Sequence, residues 1–264
     1  MRIAVTSMRR RALLIYTHQH MQPVMIYMEP GFSQEALENS DALDLRSIGD
    51  KAWSAITSRC KASEVRLYYL KIKSLEGIEK LRSTSILKIE YANKITDIKP
   101  VLKMDWLETL YLYDLPKLRD IEGIEALQNL TELRLSGNRG SMDPPLRLQS
   151  IKPIAKLSKL RVLEVTNMQL EDDDISFIAS SFPNLRSLTI SWRFDRSQLA
   201  HIAAKLNAQL DEPLRASIEF AHCTKCKGSL TLFIGRRMPT VCKVCNKDKF
   251  EKLTAQFAQL MREA

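Results

Sequence analysis

One phrase, an aliphatic residue, a variable residue and a second aliphatic, returns at a nearly constant interval through most of the chain. It limits the fold more than any other feature. The clearest copies are Leu107-x-x-Leu110-x-Leu112, Leu130-x-x-Leu133-x-Leu135, Leu160-x-x-Leu163-x-Val165 and Leu185-x-x-Leu188-x-Ile190. The same register runs back to Leu87/Ile89, Val65/Leu67 and Leu43/Leu45. First members of successive pairs stand 22, 22, 23, 23, 30 and 25 residues apart, so the period holds without invented gaps. A unit of this size cannot bury its apolar face alone, so it has to stack on copies of itself.

The second half of the unit repeats too. Leu75-Glu-Gly-Ile78-Glu-Lys-Leu81 and Ile121-Glu-Gly-Ile124-Glu-Ala-Leu127 are near copies, and Ile151-Lys-Pro-Ile154-Ala-Lys-Leu157 keeps the same three-residue beat. That beat suits 3₁₀ turns, in which residues i and i+3 eclipse. Residues 40–208 therefore resemble the leucine-rich repeat family, and the compact units are similar to those of its internalin and phosphatase-regulator branches. The resemblance implies an α/β solenoid of seven or so turns, with a parallel inner sheet and 3₁₀ or α segments outside. One departure stands out. The family usually places Asn five residues after the first leucine of each pair, and here only Asn138 does so, beside Ile48, Leu70, Ala92, Leu115, Met168 and Arg193. Apolar packing has to hold the turns where the asparagine ladder is missing.

With 264 residues, 45% of them hydrophobic, the chain can bury a sizeable core laid out as a row of layers. The organisation expected is an N-terminal extension and cap over residues 1–39, repeats over 40–210, and a small appendage over 211–264. No run nears the ~18 apolar residues of a membrane span, and the apolar run at 12–16 is too short for a secretory signal. A cytoplasmic protein with no membrane partner, monomeric apart from its ligand, is the expectation. Two alternatives stay open for the N-terminus. Residues 1–28 hold four arginines and no acid, as a mitochondrial presequence does, or Met21 is the true start.

Residues 24–28 read as a strand covering the open end of the first repeat, and residues 50–59, with Trp53 and Ile56 on one face, as a helix. Later units lengthen into helices, one after Asp172-Asp-Asp-Ile175 with Ile178, Ala179 and Phe182, another over 197–209. The three aspartates are read as charge favoured at a helix N-terminus. Gly and Pro within 136–146 predict a loop leaving the solenoid. Cys60 reads as a small buried hydrophobe. His18, His20, His201 and His222 are scattered, and neither a phosphate loop nor an H-E-x-x-H is present. No catalytic residue is assigned, and a non-enzymatic protein is expected.

Alternate side chains of a strand face opposite ways, so the residues between the aliphatics point outward. Their columns read Glu64, Ile86, Thr109, Glu132, Val162, Ser187; then Arg66, Lys88, Tyr111, Arg134, Glu164, Thr189; then Tyr68, Glu90, Tyr113, Ser136, Thr166, Ser191. The candidate protein-binding residues are Arg66, Tyr68, Lys88, Glu90, Tyr111, Tyr113, Arg134 and Glu164, because Tyr and Arg combine large contact area with directional donors.

Cys223-Thr-Lys-Cys226 and Cys242-Lys-Val-Cys245 have the spacing of a four-cysteine zinc site. The stretch looks like a zinc ribbon, with strands at 229–234 and 238–241 around Gly235-Arg-Arg, and Gly228 and Asn246 at its tight turns. Four sulfurs leave no open position, so the Zn2+ expected there is structural. Residues 247–264 form an amphipathic helix with Phe250, Leu253, Phe257, Leu260 and Met261 on one stripe. Ten basic residues against five acidic ones make residues 212–264 the basic part of a chain of net charge +9.

The preferred reading is a protein-binding module whose concave face holds one partner. Small stand-alone proteins of this kind resemble bacterial immunity proteins that neutralise a cognate toxin. The first alternative is a nucleic-acid-associated factor using Lys225, Lys227, Arg236, Arg237, Lys243, Lys247 and Lys249 on phosphates. The second is an adaptor or regulatory subunit of a larger enzyme complex, which other family branches resemble.

Overall fold

The computed structural model describes residues 22–138 and 146–264. Expectations about residues 1–21 and the centre of the 136–146 loop lie outside the described residues. The repeat phrases become β2 (Ala42–Ile48), β3 (Glu64–Leu70), β4 (Ile86–Glu90), β5 (Thr109–Tyr113), β6 (Glu132–Ser136), β8 (Val162–Thr166) and β10 (Ser187–Ile190). With β1 (Val24–Tyr27) on the N-terminal edge they form one eight-stranded parallel sheet, ordered β1-β2-β3-β4-β5-β6-β8-β10. Its register places Leu43, Val65, Leu87, Leu110, Leu133, Leu163 and Leu188 in one row. Leu45, Leu67, Ile89, Leu112, Leu135, Val165 and Ile190 make the next. Side chains in these rows point into a continuous core. Burial of each contributes ~1.5–3 kcal/mol.

The opposite wall of the core is built by helical turns. α1 (Glu35–Asn39) and α2 (Asp50–Arg59) serve the first units, and 3₁₀ turns at Ile78–Lys80, Val101–Lys103, Ile124–Ala126 and Lys152–Lys156 serve the middle ones. Their three-residue beats, including Ile98, Val101 and Met104, which the sequence reading passed over, are all buried. The shared Glu-Gly-Ile-Glu phrase has a local cause. Gly77 and Gly123 take φ of 93° and 91°, open to glycine at little cost, and Glu79 and Glu125 accept the Gly77 and Gly123 amides across 3.1 Å.

The missing asparagine ladder is replaced in two places. At the strand exits Ser47, Tyr69, Tyr91, Asp114 and Asn167 adopt left-handed backbone with φ of 45–64°. Each turns the chain out of its strand while main-chain pairing continues. The Tyr91, Ala92 and Asp114 amides donate to the Tyr113, Asp114 and Ser136 carbonyls at 3.0, 3.1 and 3.0 Å. At the strand entrances, side chains bond to the previous turn. Thr84 Oγ1 donates to Ala62 O at 2.8 Å, Trp106 Nε1 to Thr84 O at 2.9 Å, Asn129 Nδ2 to Asp105 O at 2.8 Å and Asn184 Nδ2 to Ser158 O at 3.1 Å.

The 30-residue interval departs from the expected loop at both ends. Ser136 ends β6, and Leu146 opens β7 (Leu146–Leu148), which pairs in parallel with β9 (Met168–Leu170) in a small side sheet. Leu146 and Leu148 are buried, so β7 packs as part of the unit. β9 ends at Leu170, and the helix expected after the aspartates is confined to α3 (Ile178–Ser181). Asp172 and Asp174 instead flank Lys152 Nζ at 2.9 and 3.3 Å, and Asp173 pairs with Arg236. Asp174 also accepts the Ser176 amide at 3.0 Å.

The last unit carries α4 (Arg196–Leu206), capped by the Asp195 carboxylate, which accepts the Ser197 and Gln198 amides. Beyond it, β11 (Ser217–His222), β12 (Ser229–Phe233) and β13 (Thr240–Cys242) form an antiparallel sheet, followed by α5 (Lys247–Glu263). The sequence reading found two of these three strands and missed β11. Its second strand, expected at 238–241, is β13. The small sheet is fastened to the solenoid through its hairpin. Gly235 and Arg236 amides donate to the Trp192 and Phe194 carbonyls at 2.9 and 2.8 Å. Arg196 bonds the Ile234 and Leu253 carbonyls at 2.5 and 2.8 Å and lies over the rings of Phe233 and Phe257. A Cβ at Gly235 would sit 2.8 Å from Arg196 Cβ, so the approach requires glycine.

Leu110 and Leu133 lie fully buried on adjacent strands. Leu110→Ala should cost ~2–5 kcal/mol in chemical denaturation, and Leu110→Asp should unfold neighbouring turns together, since each layer rests only on the next. An unchanged denaturation midpoint in Leu110→Asp would contradict the register.

Candidate functional site

The outward side chains of the sheet meet as the ladder dictates. Row by row, Arg66, Lys88, Tyr111, Arg134 and Glu164 stand side by side, and so do Tyr68, Glu90, Tyr113 and Ser136. All eight residues expected to bind a partner therefore share one face. Their chemistry differs from a simple basic patch. Arg66 donates to Glu90 at 2.6 and 2.9 Å and to Asp44 at 2.9 Å. Asp44 also holds Arg46 at 2.8 Å, Lys88 bonds Glu64 at 2.6 Å, and Arg134 bonds Glu132 at 2.5 Å and Glu164 at 3.2 Å. The cations of this patch are matched within the protein. The hydrogen bond from Arg66 to Glu90 holds its guanidinium well above the ordinary arginine range.

Between the ion pairs runs a chain of rings. Tyr68 and Tyr91 meet edge to face at 4.9 Å, Tyr91 and Tyr113 at 5.3 Å, and Tyr113 and Tyr111 lie 6.0 Å apart. The Arg46 and Arg66 guanidinium groups sit 5.0 and 4.9 Å from the Tyr68 ring centre. Tyr91 joins the group from a strand exit, where its left-handed backbone breaks the alternation used to assign faces. Burial, followed by its hydrogen bond to Tyr113, pushes the Tyr91 phenol up to about 12, so it stays a neutral O–H at ordinary pH. Asp44 and Arg46 were legible from the Leu43/Leu45 register and were left out of the columns. Asn138 Oδ1 accepts from the Tyr113 hydroxyl at 3.4 Å, anchoring the C-terminal end of the ring chain.

The second site lies in the small sheet. Sγ atoms of Cys223, Cys226, Cys242 and Cys245 all fall within 4.8 Å of one another. Cys223 and Cys245 sulfurs are 3.9 Å apart, and those of Cys226 and Cys242 are 3.4 Å apart. Metal–sulfur bonds of ~2.3 Å in a tetrahedron put sulfurs roughly 3.8 Å apart, whereas a disulfide needs ~2.05 Å. The donor set fits one metal ion. Ionisation within the group is uneven. Amides of Cys226 and Lys225 draw the Cys223 thiol down to about 6, and the Cys245 amide lowers Cys242. The neighbouring Cys226 thiol drives Cys245 up to about 12. A bound cation removes the conflict between crowded thiolates.

The turns of this centre correct one expectation. The left-handed residue after the first pair is Lys227, with φ of 61°, and not Gly228. Gly228 is needed for space, since a Cβ there would lie 2.6 Å from Val244 Cγ2. Asn246 has φ of −131°, an ordinary value. His222 is exposed and stands outside the cysteine cluster. Of the seven basic residues proposed for phosphates, Arg236 pairs with Asp173, Lys243 with Glu219 and Lys247 with Glu251.

No family model matches the chain, and no curated protein matches it. Among solved structures it is similar to an internalin C2 from Listeria monocytogenes, with 25% identity, 64% of this chain and 67% of that chain covered, and a TM-score of 0.44. It is also similar to an internalin, inlF, from the same organism, with 20% identity, 63% of this chain and 47% of that chain covered, and a TM-score of 0.45. The solenoid of stacked units itself follows from the parallel sheet and its register. No helix among the described residues is long and apolar enough to cross a membrane.

Removing Arg66 would take its cation from the buried Glu90 carboxylate and leave buried Asp44 with Arg46 alone. Arg66→Ala should therefore lower stability by about 2–3 kcal/mol, less than a fully buried pair because the guanidinium is partly solvated. Equal stability of wild type and variant in urea would show that solvent already satisfies these groups.

Proposed function

We propose that this protein is a non-catalytic binding module whose concave sheet holds one protein partner. The observation that carries the proposal is the ring chain Tyr68, Tyr91, Tyr113 and Tyr111, set among ion pairs that are already matched. Half-buried tyrosines held edge to face lose little side-chain freedom on binding and offer apolar area with a hydroxyl at its end. A face whose cations are matched internally does not attract phosphate strongly, which favours a protein ligand over nucleic acid. Within this proposal a cognate toxin is the class of partner supplied by the resemblance to stand-alone immunity proteins.

We also infer that the four-cysteine centre holds a structural Zn2+. Zinc prefers tetrahedral sulfur, and four protein ligands leave no position for substrate. It would fix the turns after Cys223 and Cys242, where Gly228 and Cys245 amides already point at sulfur at 3.4 Å.

With the partner captured from the native cell, Tyr111→Ala and Tyr113→Ala should each weaken binding by ~1–3 kcal/mol while stability changes little. Arg236→Ala with Arg237→Ala should bind normally, and affinity should fall only moderately with salt. A steep salt dependence together with failure of the arginine variant would instead establish the nucleic-acid reading. Elemental analysis of protein purified without chelator should find one zinc per chain, and chelation should speed hydrogen exchange across 211–264 while the repeats stay protected. Zinc-free protein with an ordered C-terminal sheet would overturn the metal assignment.

A further inference from the structure

Among the described residues the parallel sheet ends at β10, which pairs with β8. Amides of Ser187 and Ser191 donate to Arg161 and Val165 on the β8 side. Main-chain groups alternate in direction along a strand, so those of Leu188 and Ile190 face the open edge, a short stretch bounded by the Arg186 and Trp192 carbonyls, which accept from the Asp211 and Gly235 amides. Among the described residues the small sheet presents a second open edge at β11, which pairs with β12. There the Ile234 amide donates to the Ala216 carbonyl, and the same alternation turns the main-chain groups of Ser217 and Glu219 outward. Between these edges runs a groove of about 720 Å³, with Leu199, Ile234 and Phe250 among its apolar lining. Ile218 and Trp192, 52% and 38% exposed, line it as well. Its charges balance, Glu212 and Glu219 against Arg215 and Lys243. Thr189 and Ser191 belong both to the groove and to the outward columns of the concave sheet, so the two surfaces are continuous.

An unpaired strand edge beside an apolar trough is complementary to one kind of ligand, a strand. We propose that this groove docks an extended, uncharged segment of the protein partner, which adds to β10 and places alternate apolar side chains against Ile218 and Trp192. The proposal rests on the concave-face reading and extends that interface past the last repeat. Main-chain pairing supplies affinity, and the alternate apolar contacts with the neutral charge balance of the groove reject strongly acidic or basic segments.

The test uses the full chain and a capped peptide of alternating valine and threonine, about four residues long to match the free stretch of edge, beside its fully N-methylated counterpart, which cannot pair. Site-resolved hydrogen exchange should slow about tenfold at the Leu188 and Ile190 amides with the first peptide only. Ile218→Asp, at an exposed position that folding tolerates, should abolish the effect. Tyr111→Ala with Tyr113→Ala should preserve it, so loss of the concave-face reading and loss of this slot give different results. Unchanged exchange with the first peptide overturns the proposal, as does equal protection by the N-methylated one. Protection that grows with protein concentration in the absence of peptide also overturns it, because a second copy then occupies the edge.

Discussion

Everything in this protein depends on an in-register parallel ladder that continues past the strands it joins. A layer of two inward aliphatics and one helical turn has no core of its own. Its leucines become buried only when the next layer lies at strand spacing and in the same register, since a slip of one residue would turn them to solvent. The left-handed exits at Ser47, Tyr69, Tyr91, Asp114 and Asn167 extend main-chain pairing into the corners. Each such residue costs of order 1 kcal/mol in backbone strain. The added interlayer bonds and the buried rows they keep aligned offset that cost. The same exit geometry puts Tyr91 between Tyr68 and Tyr113, so one backbone constraint both holds the solenoid and assembles the ring chain.

A stacked array needs its ends closed, and the C-terminal end is closed by a junction that depends on Arg196. Its guanidinium has no carboxylate among its hydrogen-bond partners. It is spent on two carbonyls, one from the hairpin and one from α5, and on two aromatic faces. Burial lowers its affinity for a proton, but an arginine stays charged, so the carbonyls must supply the stabilisation. Order in the small sheet is thereby coupled to the last repeat: whatever fixes the cysteine turns also steadies the hairpin that meets Trp192 and Phe194.

The parts of this structure legible in the sequence are those set by period and spacing. Strand rows, the 3₁₀ beats, α2, α5 and the cysteine cluster all follow from apolar or ligand positions that recur at fixed distances. What escaped depends on contacts between distant residues or on one unusual dihedral. The Asp172 to Asp174 run reads as helix-end charge because the cations that pair with it, Lys152 and Arg236, lie far away in sequence. Lys227 took the turn assigned to Gly228 because the scarce quantity there was space against Val244 and not conformational freedom. Tyr91 was missed because strict alternation fails at a left-handed exit.

The charge pattern of the concave face follows from the same architecture. In-register strands bring equivalent side chains side by side, about 4.8 Å apart between strands, so a column of like charges would repel along its length. Opposite charges stand nearby, with Asp44 next to Arg66, Glu64 diagonal to Lys88, and Arg134 next to Glu164. Where two cations adjoin, Arg66 beside Lys88, each is paired to its own carboxylate, Glu90 and Glu64. Cross-strand pairs of opposite charge stabilise a sheet where like pairs would not. Matching that serves the fold also removes the long-range field which would draw polyanions to this face. What remains for recognition is short-range: ring edges, hydroxyls and, at the end of the sheet, unpaired main chain. On the binding role proposed above, those features would select a ligand by shape and hydrogen bonding, which is the selectivity expected when one protein surface reads another.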